Sequence, residues 1–135
     1  MNDKLDTANG WFRKAENDYQ TLCMLHEQGK ALDVAAFHAQ QAIEKLLKCL
    51  LILNDTPFPF THDLEELRDL CRVHNPSIDS LPILWEEVSD FAVAARYDFE
   101  FFPPIKDIDS LIPQVEALRS FVSTVLSNQA STEQQ

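Results

Sequence analysis

Four polar side chains in FHAQQAIEKLLKCLL, residues 37–51, are the first candidates for chemistry in this chain. Read as one helix turning about 100° per residue, the stretch brings His38, Gln41, Lys45 and Lys48 within about 80° of one another. Leu32, Ala39, Ile43, Leu46 and Leu50 gather on a different side. Two ammoniums beside an amide and an imidazole can grip a phosphate and the edge of a base. Glu44, at the border of the stripe, can pair with Lys48 one turn on. The same composition also describes a solvated outer face, and residue types alone favour that plainer reading.

Other reactive types are sparse. Cys23, Cys49 and Cys71 are odd in number and far apart, with no CxxC pair, so neither zinc nor a redox motif is indicated. Reduced, buried thiols in a cytosolic protein are expected. Arg68 and His74 have five residues between them, and six residues along a helix leave the two side chains diverging. His62 sits beside Thr61, where an imidazole either bonds local backbone or meets a ligand. No catalytic group, metal or required cofactor is expected.

The elements that must position these residues are read from apolar spacing. Ala8, Trp11, Phe12, Ala15, Tyr19, Leu22 and Leu25 predict a helix over 4–27, with Gly29 as its stop. A second helix is predicted over 31–54, ended by NDTPFPF. A third opens at THDLEEL with Thr61 as N-cap and ends before HNPS. A fourth spans about 80–97. The fifth spans about 109–128 with Pro113 in its first turn, where a missing N–H does little harm. No strand pattern competes, so the expected fold is all-α: an antiparallel up-and-down bundle of about five helices, four forming the core and one short. Residues 1–128 make one domain, and 129–135 a polar, frayed tail.

Charge narrows the partners. The 135 residues carry a formal net charge of −11. Residues 1–77 hold eight Lys/Arg against twelve Asp/Glu, and residues 78–135 three against ten. Such a chain gains no general counterion-release affinity for nucleic acid, so any contact with a polyanion needs a local basic patch in the first half. The N-terminus has no apolar signal core and no stretch approaches the roughly eighteen apolar residues of a membrane span. A soluble, cytoplasmic protein with no membrane partner is expected. FEFFPPI is the remaining oddity: Phe99, Phe101, Phe102 and Ile105 lie outside any clear helix, either closing the core or forming an interface patch.

The run WFRKAENDYQTL, then DVAAFHAQQAIEKLLKCLL, then THDLEEL, then ARY resembles the HEPN family of small helical domains. Trp11, Ala15 and Asp18 match its first helix. Phe37, His38, Gln40, Gln41, Ala42, Glu44, Lys45, Leu47 and Lys48 match its second. His62, Asp63 and Leu64 match the start of its third, and Ala95, Arg96 and Tyr97 the end of its fourth. The matches span residues 11–97, and the fifth helix fits by position only.

The resemblance implies an up-and-down bundle, commonly dimeric, associated with nucleotide binding and often encoded beside a minimal nucleotidyltransferase, in some cases as a toxin–antitoxin pair. A catalytic subset cleaves RNA without metal through an Arg-x(4–6)-His motif. This chain departs from that subset, because Arg96 is followed by YDFEFFPPIKD with no histidine in range. The expected function is therefore that of the non-ribonuclease branch: a homodimer binding a nucleotide, a nucleotidyltransferase, or both. His38, Gln41, Lys45 and Lys48 would be the contact surface, with His62, Arg96 and Tyr97 as further candidates. Arg96 and Tyr97 could instead anchor the fourth helix to Asp18 or another acid of the first helix. Some partner nucleotidyltransferases modify a HEPN tyrosine; Tyr97 is the nearest candidate but lacks the histidine-containing context. A metal-independent ribonuclease toxin and a ligand-free dimerising scaffold are the alternatives.

Overall fold

Helix 32–53 has apolar residues on more than one side, so it must be covered nearly all round. Ala35, Ala36, Ala39, Ala42, Ile43, Leu46, Leu47, Leu50 and Leu51 are all buried. In a computed structural model, which describes residues 3–133, this helix is the centre of an all-α fold. The helices are α1 (Asp3–Gln28), α2 (Leu32–Leu53), α3 (Leu64–Arg72), α4 (Trp85–Tyr97) and α5 (Ile105–Glu133), with a 3-10 turn at Pro76–Ser80. No strand forms among the described residues. α2 packs against α1, α3, α4 and α5, with α1 its most extensive neighbour. Each fully buried leucine of α2 contributes about 1.5–3 kcal/mol relative to exposure.

Both ends of the α1–α2 pair are closed by the same backbone device. At the end of α1 the N–H of Gly29 donates to His26 O (3.1 Å) and that of Lys30 to Leu25 O (3.2 Å), with Gly29 at φ 63°. At the end of α2 the N–H of Asp55 donates to Ile52 O (3.2 Å) and that of Thr56 to Leu51 O (2.9 Å), with Asp55 at φ 52°. These are Schellman closures, one using the expected glycine and one an aspartate. Ala31, the N-cap of α2, is also left-handed at φ 49° and offers no side-chain cap. An L-residue with a Cβ loses about 1–2 kcal/mol there. Ala31→Gly should therefore raise stability by about 1 kcal/mol, moving the thermal midpoint up by several degrees. A midpoint that is unchanged or lower would show that the exposed turn relaxes at no cost.

Four boundaries differ from the sequence expectation. The N-cap of α3 is Asp63, whose carboxylate accepts from the N–H of Glu65 (3.0 Å) and Glu66 (3.3 Å); Thr61 Oγ1 accepts instead from Asp63 N–H (3.0 Å). α4 begins at Trp85 rather than near 80, because Pro82 disfavours helical backbone at Leu81. α5 begins at Ile105, so Pro113 lies inside the helix and not in its first turn. Its missing donor and ring clash cost about 3 kcal/mol, carried by the buried face Ile108, Leu111, Val115, Leu118 and Val122. α5 also continues past 128 to Glu133, so the expected tail is helical over 129–133, where neither Gly nor Pro interrupts it; Gln134 and Gln135 lie outside the described residues.

Candidate functional site

His38 and Lys45 lie two turns apart on α2 and straddle one carboxylate of α1. Asp18, 7% exposed, accepts from Lys45 Nζ at 2.6 Å and pairs with His38 Nδ1 at 2.8 Å. Each carboxylate oxygen has its own partner, so the charge is neutralised where it is buried. Asp18 is thus filled from α2. It is not the anchor for Arg96 and Tyr97 that one sequence reading offered. The Arg96 guanidinium lies 5.1 Å from the centre of the Phe37 ring, and Tyr97 is exposed at the end of α4.

A second carboxylate organises the other half of the stripe. Glu44, 4% exposed, accepts from Gln40 Nε2 (3.1 Å) and Lys48 Nζ (3.1 Å) and pairs with His62 Nδ1 (2.8 Å). Gln40 is fully buried, and its Oε1 accepts from Gln41 Nε2 at 2.7 Å. Burial pushes the Glu44 carboxyl up, but the hydrogen bonds from His62 and Gln40 and the Lys48 ammonium outweigh it and hold it below its ordinary value. His38, Gln41, Lys45, Lys48 and His62 therefore divide between two polar clusters, one around Asp18 that fastens α1 to α2 and one around Glu44 that fastens the segment leading into α3 to α2. Gln40 and Glu44, the buried centre of the second cluster, were missed as site residues. A signal was present, because Gln40 runs in phase with Ala36, Ile43 and Leu47, and Glu44 with Leu47 and Leu51.

The two lysines nonetheless reach open clefts that share Trp11 as a wall. A cleft of about 660 Å³ is lined by Thr7, Gly10, Trp11, Lys14 and Lys45. The other, about 310 Å³, is walled by Trp11, Phe58 and Phe60 with Lys48 and His62. There the Lys48 ammonium stands 5.4 Å from the centres of both the Trp11 and Phe58 rings, which meet edge to face at 6.2 Å. Flat aromatic walls beside fixed ammoniums suit a ligand that combines a planar ring with an anion.

The remaining candidates are not brought together. Arg68 donates to its neighbour Asp69 (3.0 and 2.8 Å) and lies 5.6 Å from the centre of the Trp85 ring, while His74 is exposed beyond the end of α3, and no hydrogen bond joins the two. The cleft of about 540 Å³ beside Arg68 is rimmed by Glu65, Glu86, Glu87 and Asp90, a poor setting for phosphate. No group of three or more His, Cys, Asp or Glu among the described residues is placed to hold a metal ion. Cys49 and Cys71 are buried, which pushes both thiols up to about 12, whereas Cys23 is only partly buried. No helix among the described residues is long and apolar enough to cross a membrane.

The FEFFPPI loop divides. Phe101 turns inward against Phe91, their ring centres 5.9 Å apart, and Pro103 is buried. Phe99 and Phe102 are 93% and 77% exposed, and Val93 and Tyr97 of α4 and Ile105 of α5 are exposed as well. The passage from α4 into α5 is thus rich in exposed apolar side chains.

Comparison with known proteins agrees with the pattern in α2. A family model described as HEPN domain matches residues 8–125. No curated protein matches the chain.

Proposed function

The chain belongs to the HEPN domain family, and from that premise we propose that it is a non-catalytic binding module. It works as an antiparallel up-and-down bundle, paired with a second copy, that binds a nucleotide, a partner minimal nucleotidyltransferase, or both. The observation that carries the nucleotide reading is Trp11 shared by two clefts, each holding one lysine fixed by a buried carboxylate. A fixed ammonium loses little freedom when it meets a phosphate. The stripe itself is mostly internal fastening, so the contact surface narrows to Lys45 and Lys48 with Trp11. Phe101, Phe102 and Pro103 stand where the motif's histidine would follow Arg96, and the nearby carboxylates of Asp98 and Glu100 would repel a phosphate, which speaks against phosphodiester cleavage.

Lys45→Glu and Lys48→Glu are poor tests, because each would set a second carboxylate against Asp18 or Glu44. The informative experiment is a panel of nucleoside mono-, di- and triphosphates added to the wild-type protein, read by thermal unfolding and calorimetry. A nucleotide at about 100 times its dissociation constant adds about 2.7 kcal/mol and raises the midpoint by several degrees. No shift with any nucleotide would leave the scaffold reading. Capture of the tagged chain from its native cytosol tests the partner half, with a stoichiometric nucleotidyltransferase as the expected result.

A further inference from the structure

Gly10 lies in the interior of α1, where glycine costs a helix stability relative to alanine. A Cβ built there meets no atom within 4 Å, and no left-handed backbone requires glycine at this position. Packing within the chain therefore gives no reason for it. What the missing side chain does is leave bare backbone as the floor shared by two adjoining clefts. One is the Trp11–Lys45 cleft; the other, about 420 Å³, is lined by Gly10, Arg13, Lys14, Glu16 and Asn17.

The charge around that floor is opposite to the chain's. Arg13 and Lys14 are exposed and form no ion pair among the described residues. The acids on the C-terminal side of Gly10 are already satisfied, Asp18 by Lys45 and His38 and Glu16 by the Arg119 guanidinium, whose Nη2 donates to Glu16 Oε2 at 2.9 Å, while exposed Asp6, one turn before Gly10, lines neither cleft. A protein of net charge −11 thus carries here an uncompensated pair of cations, one turn from a glycine, with a neutralised lysine opposite.

We infer that the Gly10 groove is an anion site for a compact phosphorylated ligand, held by Arg13 and Lys14 with Lys45 on its inner wall and the Trp11 ring at its edge. For the ligand's ring this rests on the nucleotide reading above; for its phosphates it does not. The bare backbone lets a phosphate approach α1 more closely than any other residue at position 10 would allow. Arg13 and Lys14 are contacts that the second-helix stripe could not reveal, since both lie on the first helix.

The test is calorimetric titration of the full chain with inorganic tripolyphosphate and, separately, with ATP, at low and at physiological salt. Tripolyphosphate should bind, more weakly as salt rises. Combining Arg13→Glu and Lys14→Glu should lower its affinity at least tenfold with an unchanged unfolding midpoint, because both side chains are exposed. Gly10→Ala should raise the midpoint by several degrees yet weaken binding severalfold, gaining stability at the expense of the site. Failure of tripolyphosphate to bind, or equal affinity in the double variant, overturns the groove. ATP binding that is untouched by the double variant would overturn the groove while keeping the nucleotide reading. Tripolyphosphate binding with no nucleotide binding would keep the groove and end that reading.

Discussion

Glu44→Ala should cost about 3–5 kcal/mol, the usual result of removing one partner from a buried ion pair. The substitution leaves the fully buried Gln40 Nε2 with only a long bond to His62 O (3.5 Å) and removes the carboxylate partner of the Lys48 ammonium, whose side chain is only 13% exposed. His62, with a side chain 58% exposed, can turn to water and adds little to the loss. A loss of this size is a large share of the stability of an ordinary domain. It would be read as a drop in the urea midpoint with an unchanged slope. Glu44→Gln, which still offers an acceptor to Gln40 or Lys48, should cost less. A loss below about 1 kcal/mol for alanine would mean that water replaces the carboxylate and that the network does not fasten the helices.

The same carboxylate fixes an acid dependence. Its pKa is lowered in the folded chain from an ordinary value of 4.5. The stability it contributes is then fully present above about 4.5 and is lost as pH falls through the lower folded value. Wild type should therefore weaken on acidification below that point more steeply than Glu44→Gln does, measured as unfolding free energy against pH. Parallel curves would assign the acid sensitivity to other carboxylates.

The parts of the fold that could be read from sequence were those written in one helix at a time. α1 and α2 were expected over 4–27 and 31–54 and lie at Asp3–Gln28 and Leu32–Leu53, because long apolar periods are bounded by Gly29 and by the two prolines after Asn54. α4 and α5 began elsewhere for reasons that depend on neighbours. The chain at 76–84 forms a 3-10 turn and a loop pinned by Leu84 N–H donating to Gln114 Oε1 (2.7 Å), a residue on α5. Helix α5 tolerates Pro113 only because its buried face is long. The stripe shows the same limit. Angular spacing set His38, Gln41, Lys45 and Lys48 on one side of α2, but a single helix cannot show what other elements bring against it or that the four divide between Asp18 and Glu44. Asp18, twenty residues before His38, turns that wet face into a fastening. Gln40 and Glu44 were legible in phase with buried leucines, yet polar residues on an apolar phase are easily taken for gaps in it.

Replacing Phe99 and Phe102 together by aspartate should convert a dimer into a monomer, if the exposed apolar side chains between α4 and α5 are where two copies meet. Neither ring needs to be outside for the bundle's sake: the same loop turns Phe101 inward onto Phe91. The outward pair is also held in place before any partner arrives. Phe101 N–H donates to Asp98 O (3.1 Å), Glu100 N–H donates to the Asp98 carboxylate (2.9 Å), and Pro103 and Pro104 stiffen the exit into α5. Aromatic side chains on a fixed turn lose little entropy on binding, and central aromatic contacts typically cost 2 kcal/mol or more when truncated. Two such losses, with carboxylates set against an apolar surface, should weaken self-association at least hundredfold, as measured by sedimentation equilibrium. Because both rings are largely exposed, the monomer's unfolding should be unaffected by the substitutions once the contribution of dimerisation is removed by dilution. A double variant that stays dimeric with native stability would place the dimer contact on another face. A wild type that is monomeric at about 100 μM, beyond the micromolar range of a typical specific pair, would leave the two rings free for a different protein and remove the homodimer from the proposed function.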